Sequence, residues 1–136
     1  TLSVRMKQHN ENAIAVSNYL SNHPKIEKVF FPGTDKRHKE IAEKQMDGFG
    51  GMMSFVIDSD INGVKTFLKN LNLFTLAESL GGVESLIEHP AIMTHASIDP
   101  SIREKLGISE TLLRISVGIE DVDDLISDLD QALSKI

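Results

Sequence analysis

A chain of 136 residues, 40% hydrophobic and 25% charged, has the size of one globular domain with a single core, and two full domains would not fit. Its formal charge of −6, with the basic residues dispersed, prepares no surface for a phosphate backbone, so nucleic acid is not an expected partner. The absence of cysteine removes disulfides and thiolate metal sites and fits a reducing, cytoplasmic setting, and no apolar run approaches the roughly 20 residues of a membrane span, so no membrane partner is expected either.

From Thr1 to about residue 22, Leu2, Met6, Ala13, Val16 and Leu20 recur at steps of three, four or seven, which predicts an amphipathic helix that Pro24 stops. The pattern is already helical at Thr1 and no initiator methionine precedes it, so the chain is expected to be a piece of a longer protein. Residues 26–31 form a short strand closed by Pro32-Gly33, and residues 36–46, rich in Lys, Glu and Gln, form an exposed helix ended by Gly48, Gly50 and Gly51. Residues 52–58 alternate as a mostly buried strand, residues 62–71 place Val64, Phe67, Leu68 and Leu71 on one helical face, and a further strand is expected near 73–76.

Between 78 and 97 periodicity is lost around Gly81-Gly82 and Pro90, yet the segment is too apolar for a disordered linker and is expected to be a long structured loop. Asp99-Pro100 has the chemistry of an N-cap followed by proline in the first turn, with Gly107 suited to the residue past the helix end. Residues 111–117 alternate: Leu113, Ile115 and Val117 point one way, Leu112, Arg114 and Ser116 the other. Asp121 caps a last helix with Val122, Leu125, Ile126, Leu129, Ala132 and Leu133 as its apolar stripe. The succession is that of an α+β domain, a mostly antiparallel sheet with helices covering one face.

Arg114 is the most informative position, because a guanidinium in mid-strand among Leu, Ile and Val is partly desolvated and needs an anion. Its donor fork suits a substrate carboxylate; a salt bridge to one of the chain's own acids is the alternative. Glycines in Glu78-Ser79-Leu80-Gly81-Gly82 would let the backbone approach a ligand, or serve only as a turn. Thr94 offers a hydroxyl to a ligand or to its own loop. Glu84, Glu88, His89 and His95 lack a metal-binding spacing, so no metal is expected, while His95 is either a general base or a hydrogen-bonded loop histidine. His9, His23 and His38 are taken as surface residues, and Gly48-Phe49-Gly50-Gly51 as a turn. No nucleophile, base and orienter come together, so no catalytic residue is assigned.

Several segments taken together resemble the transsulfuration branch of pyridoxal-phosphate (PLP) enzymes: cystathionine γ-synthase, γ-lyase, β-lyase and their relatives. They are Arg5-Met6 with His9-Asn10-Glu11-Asn12-Ala13, Phe49-Gly50-Gly51-Met52, Ser79-Leu80-Gly81-Gly82-Val83-Glu84-Ser85-Leu86, Met93-Thr94-His95-Ala96, and Leu113-Arg114-Ile115-Ser116-Val117-Gly118-Ile119-Glu120-Asp121. The resemblance implies that residues 1–136 are a single substrate-binding C-terminal domain of a fold-type I PLP enzyme, with Arg114 on the substrate α-carboxylate, Ser79 beside it through its backbone, Thr94 near the same pocket and Glu78 toward the far end of the substrate.

The same resemblance places the cofactor's lysine, stacking aromatic and pyridine-nitrogen aspartate in a preceding domain. This piece is therefore expected to hold no PLP and to be inactive alone. Family members acting at the γ carbon tend to carry an acid at the Glu78 position, and the runs 74–80 and 107–114 look most like cystathionine γ-synthase. The expected function is γ-replacement joining an O-acylhomoserine and cysteine into cystathionine, by a cytoplasmic homotetramer acting on small amino-acid substrates. The alternatives are a γ-lyase or β-lyase of the family, or a stand-alone ligand-binding or regulatory module without chemistry, which would differ in having capped ends and a polar outer sheet face; an interaction or dimerisation role is compatible with the enzyme-domain reading.

Overall fold

The computed structural model describes residues 1–136 as five helices and five strands. In chain order they are α1 (Leu2–Asn22), β1 (Ile26–Phe30), α2 (Lys36–Gln45), β2 (Met52–Ile57), α3 (Ile61–Lys69), β3 (Thr75–Leu76), β4 (Leu86–Glu88), α4 (Pro100–Lys105), β5 (Leu112–Ser116) and α5 (Val122–Leu133). The strands make one sheet in the order β1-β2-β5-β4-β3, antiparallel throughout except for the β3–β4 pair, which is parallel. The α+β class, with helices on one face of a mixed sheet, is the one the sequence predicts.

That face is built by period-two alternation. Met53, Phe55 and Ile57 of β2, Ile87 of β4, and Leu113, Ile115 and Val117 on and just past β5 form one core cluster with Ala13, Val16 and Leu20 of α1, Val64 and Phe67 of α3, and Leu125, Leu129, Ala132 and Leu133 of α5. Phe55 and Phe67 meet edge to face at 6.3 Å. Burying each of these large side chains is worth roughly 1.5–3 kcal/mol, so the three-helix layer provides most of the stabilisation. α2 buries only Ala42 and α4 buries no residue, and their ends are set locally, by Asp35 and Asp99 accepting from the N–H groups of Arg37 and Ser101.

Three expectations are corrected. The stretch expected to be a loop contains β4, whose three residues are too few to show a period. Leu2 and Met6, assigned to the apolar stripe of α1, are exposed, because burial in that helix begins only at His9. His9 itself is 4% exposed and its Nδ1 lies 2.6 Å from the Val117 carbonyl oxygen; with Asn12, which donates to the carbonyls of Gly118 and Glu120, it fastens α1 to the segment following β5.

Asp128 on α5 holds the chain between α3 and β3. Its carboxylate accepts the backbone N–H groups of Asn72 and Leu73 at 2.8 Å and of Phe74 at 3.1 Å. Burial by itself raises this carboxyl, but those three donors and the Gln131 side chain outweigh it and hold Asp128 below the usual carboxylate value. Because the folded state binds this proton less tightly than the unfolded chain, its contribution is complete above about pH 4 and is lost as pH falls through the lower folded value. Asp128→Asn is expected to cost about 1–3 kcal/mol at neutral pH and to flatten the loss of stability between about pH 4 and 2. Urea unfolding of both proteins across that range checks this; parallel pH curves would contradict it.

Candidate functional site: the second sheet face

The antiparallel register sets Ser54 on β2, Arg114 on β5 and Glu88 on β4 directly opposite one another, on the face turned away from the helices. Arg114 Nη2 stands 2.8 Å from Glu88 Oε2, with the arginine side chain 25% exposed and the glutamate 1%. The approach has the distance of an ion pair without the alignment of a hydrogen bond, and Glu88 Oε2 has no other partner. Nη2 also donates to the backbone carbonyl of Glu78 at 3.1 Å, while Nη1 and Nε have no protein acceptor.

The loop that crosses above Arg114 runs from β3 to β4. It is pinned where Gly81 donates its N–H to Ser116 Oγ at 2.9 Å and where Val83 accepts the N–H of Ile119 at 2.9 Å. Gly81 has φ +77°, the left-handed region that glycine enters without strain. Ahead of that anchor, the N–H groups of Glu78, Ser79 and Leu80 find no acceptor within the chain. An exposed run of open donors beside a partly exposed guanidinium is chemically able to take a small anion.

Behind the loop, a polar cluster fixes the turn after β5. Glu120 accepts the N–H and hydroxyl of Ser85 at 2.6 and 2.9 Å, and Ser85 Oγ in turn accepts the Gly118 N–H at 2.8 Å. A Cβ added at Gly118 would lie 2.3 Å from the Val83 carbonyl oxygen and 2.7 Å from the Glu84 carbonyl carbon, and both are backbone atoms.

Of the residues singled out in the sequence, Arg114 and Glu78 come together, but Glu78 does so through its carbonyl, its side chain being exposed. Ser79 lies next in the same loop with its N–H open. The Thr94 hydroxyl donates to Glu88 Oε1 and also lies 2.7 Å from His95 Nδ1, so it reaches Arg114 only through Glu88. The four side chains weighed for metal are dispersed: Glu88 faces Arg114, His95 meets Thr94, Glu84 is exposed, and the buried His89 has its Nε2 2.7 Å from the Glu110 carbonyl oxygen. No group of three or more metal-ligating side chains is present. Burial pushes the His89 imidazole below the ordinary histidine value, although its bond to Glu110 opposes the shift.

Glu88 is the member that sequence inspection missed as a partner of Arg114. The signal was an acid placed three residues into an apolar run, Leu86-Ile87-Glu88, and it becomes legible only once that run is paired in register with β5. A concavity of about 450 Å³ lies elsewhere, between the start of α1 and the turn at Met46–Gly50, and contains neither Arg114 nor Glu78.

The fold and site together define a small α+β domain with an arginine–acid pair set beneath a loop of free N–H groups. The chain belongs to the family described as Cys/Met metabolism PLP-dependent enzyme, which it matches over residues 1–134. It is 54% identical over 136 residues to the cystathionine gamma-lyase of Dictyostelium discoideum, covering 99% of this chain and 35% of that protein. It is 54% identical over 134 residues to the cystathionine beta-lyase of Coxiella burnetii, covering 98% and 35%. Among solved structures, the cystathionine gamma synthase of Xanthomonas oryzae pv. oryzae in complex with cystathionine superposes with a TM-score of 0.92 at 46% identity, covering 98% of this chain and 35% of that one. The cystathionine gamma-lyase of Lactobacillus plantarum complexed with L-serine gives 0.92 and 45%, with the same coverage. The chain thus spans about a third of the length of the curated relatives it matches.

PLP attachment calls for a lysine amine within a pocket shaped for the ring and its phosphate. Every lysine here is exposed except Lys25, whose ammonium is given to the carbonyls of Leu133, at 2.8 Å, and Ile136. These residues do not assemble a place for the cofactor. No helix is long and apolar enough to cross a membrane.

The Ser85–Glu120–Gly118 cluster makes a graded prediction. Ser85→Ala leaves the Gly118 N–H and one Glu120 oxygen unpaired and should cost about 1–3 kcal/mol, whereas Gly118→Ala forces backbone apart and should cost about 3 kcal/mol or more. Denaturant unfolding of both variants ranks them; a neutral Ser85→Ala would show that the cluster does not hold this turn.

Proposed function

We propose that this chain is the substrate-binding C-terminal domain of a PLP-dependent enzyme that joins an O-acylhomoserine and cysteine into cystathionine by γ-replacement. The observation that carries the proposal is the pair of unpartnered Arg114 donors, Nη1 and Nε, beneath the open N–H groups of Glu78, Ser79 and Leu80. A substrate α-carboxylate would take the guanidinium and the Ser79 N–H, and the exposed Glu78 side chain would face the distal end of the substrate. Thr94 would serve the same pocket by way of Glu88. When bound by the rest of the protein, PLP supplies an electron sink at Cα. The residues of this chain bind and orient, holding the carboxylate so that the bond to be broken is presented to the cofactor.

Leu80, Val83 and Ile119, on and beside the loop over Arg114, are 54%, 45% and 37% exposed. Exposed apolar residues on the loop over a charged site favour a surface covered by another part of the protein over a stand-alone module with a polar outer face. The isolated chain is therefore expected to show no activity. The proposal extends to a cytoplasmic homotetramer for the full-length protein, which its sedimentation would check. A second proposal, γ-elimination or β-elimination from cystathionine, is supported by the names of the curated relatives, which are lyases at 52–56% identity. Product analysis of the full-length protein supplied with cystathionine, or with an acyl ester plus cysteine, ranks the two.

In the full-length enzyme, Arg114→Ala should lower kcat/KM by roughly 100-fold or more, because a misoriented substrate forfeits most of the positioning advantage. Removing the arginine also leaves Glu88 buried without its partner, at a cost of about 3–5 kcal/mol, so thermal unfolding must accompany the kinetics. Arg114→Lys keeps the charge and loses the fork, and should not restore the rate. Near-normal kcat/KM in a folded Arg114→Ala enzyme would remove Arg114 from substrate binding.

A further inference from the structure

Glu88 has no evident reason to be an acid on packing grounds. Leu86, Ile87 and His89 beside it are all buried, and an apolar side chain would fill a 1%-exposed position without the desolvation cost of a carboxylate. Both of its oxygens are committed: Oε1 accepts the Thr94 hydroxyl proton, and Oε2 faces Arg114 Nη2 at 2.8 Å. Since that hydroxyl has a single proton, His95 Nδ1, 2.7 Å away, must be the donor to Thr94. Thr94, backed by His95, and Arg114 therefore converge on Glu88 from its two oxygens.

The guanidinium is where a ligand would enter. Nη2 is engaged by Glu88 and by the Glu78 carbonyl, leaving Nη1 and Nε for an incoming anion. A long arginine side chain has about 2 kcal/mol of rotamer freedom, and holding it in one orientation before the ligand arrives removes that cost from the binding step. We propose that Glu88 is a positioning residue for Arg114, kept in place by Thr94, and that the pair sets the affinity of this face for carboxylates. The inference rests on Arg114 being the carboxylate-binding group proposed above.

The test uses the full-length enzyme with its cofactor and the variants Glu88→Gln, Thr94→Val, the double variant and Arg114→Ala. KM and kcat are measured with cystathionine, inhibition constants with butyrate, a carboxylate lacking an amine, and with butylamine, an amine lacking a carboxylate, and folding by thermal unfolding. Glu88→Gln should raise KM and the butyrate constant about tenfold, equivalent to 1.4 kcal/mol, with the larger share of the kinetic change in KM and the butylamine constant little moved. Thr94→Val should act in the same direction by roughly threefold, and the double variant should be no worse than Glu88→Gln, because Thr94 works through Glu88. A purely structural role would lower the unfolding temperature without separating butyrate from butylamine.

If Arg114→Ala weakens butyrate while a folded Glu88→Gln binds it as tightly as the parent or more tightly, the positioning role is overturned and the role of Arg114 survives. If Arg114→Ala leaves butyrate binding unchanged, the proposal for Arg114 fails, and that for Glu88 with it. Should Glu88→Gln not fold, Thr94→Val decides: unaltered butyrate inhibition in that variant overturns the proposal.

Discussion

Everything particular to this domain turns on one ion pair held in a sheet. Arg114 and Glu88 sit in register on β5 and β4, and a charged pair among apolar strands is tolerated because each side chain meets its opposite across less than 3 Å. The net contribution of such a pair to stability is small, since desolvation of both ions offsets most of their attraction. Its value is orientation: the arginine cannot turn inward, where the helices close the other face, and Glu88 leaves it only the open side.

The sheet is asymmetric because its two faces follow different rules. Toward α1, α3 and α5 the alternation is uniformly apolar and the packing is tight. The opposite face carries Ser54, Arg114, Glu88 and Ser116, of which Arg114 pairs with Glu88 and with the Glu78 carbonyl and Ser116 with the Gly81 N–H, and the loop above it exposes Leu80 and Val83. The first face makes the domain stable, and the second carries the site proposed for the substrate carboxylate. The chain belongs to the Cys/Met metabolism PLP-dependent enzyme family and spans about a third of the length of the curated relatives it matches.

Long elements were legible from the sequence because their periods repeat. α1, α5, β2 and β5 each carry enough apolar positions to separate a 3.6-residue period from a two-residue one, and Asp99 and Asp121 mark the starts of α4 and α5 by capping chemistry. Arg114 was legible for a related reason, being a charge on a strand whose neighbours are apolar. What escaped depends on pairing between segments remote in sequence. β4 is three residues long, His9 is buried only because the turn following β5 comes back over α1, and Glu88 becomes the partner of Arg114 only through the β4–β5 register. Ser116 and the Ser85–Glu120 cluster escaped likewise, their partners lying 33–35 positions away.

The most direct measurement is a crystal structure of the full-length protein with cystathionine bound. The account predicts an α-carboxylate of the ligand within hydrogen-bonding distance of Arg114 Nη1 or Nε and of the Ser79 N–H, with Glu88 still on Nη2. A ligand whose carboxylates all lie on other residues, with Arg114 facing only Glu88 and the Glu78 carbonyl, would contradict it.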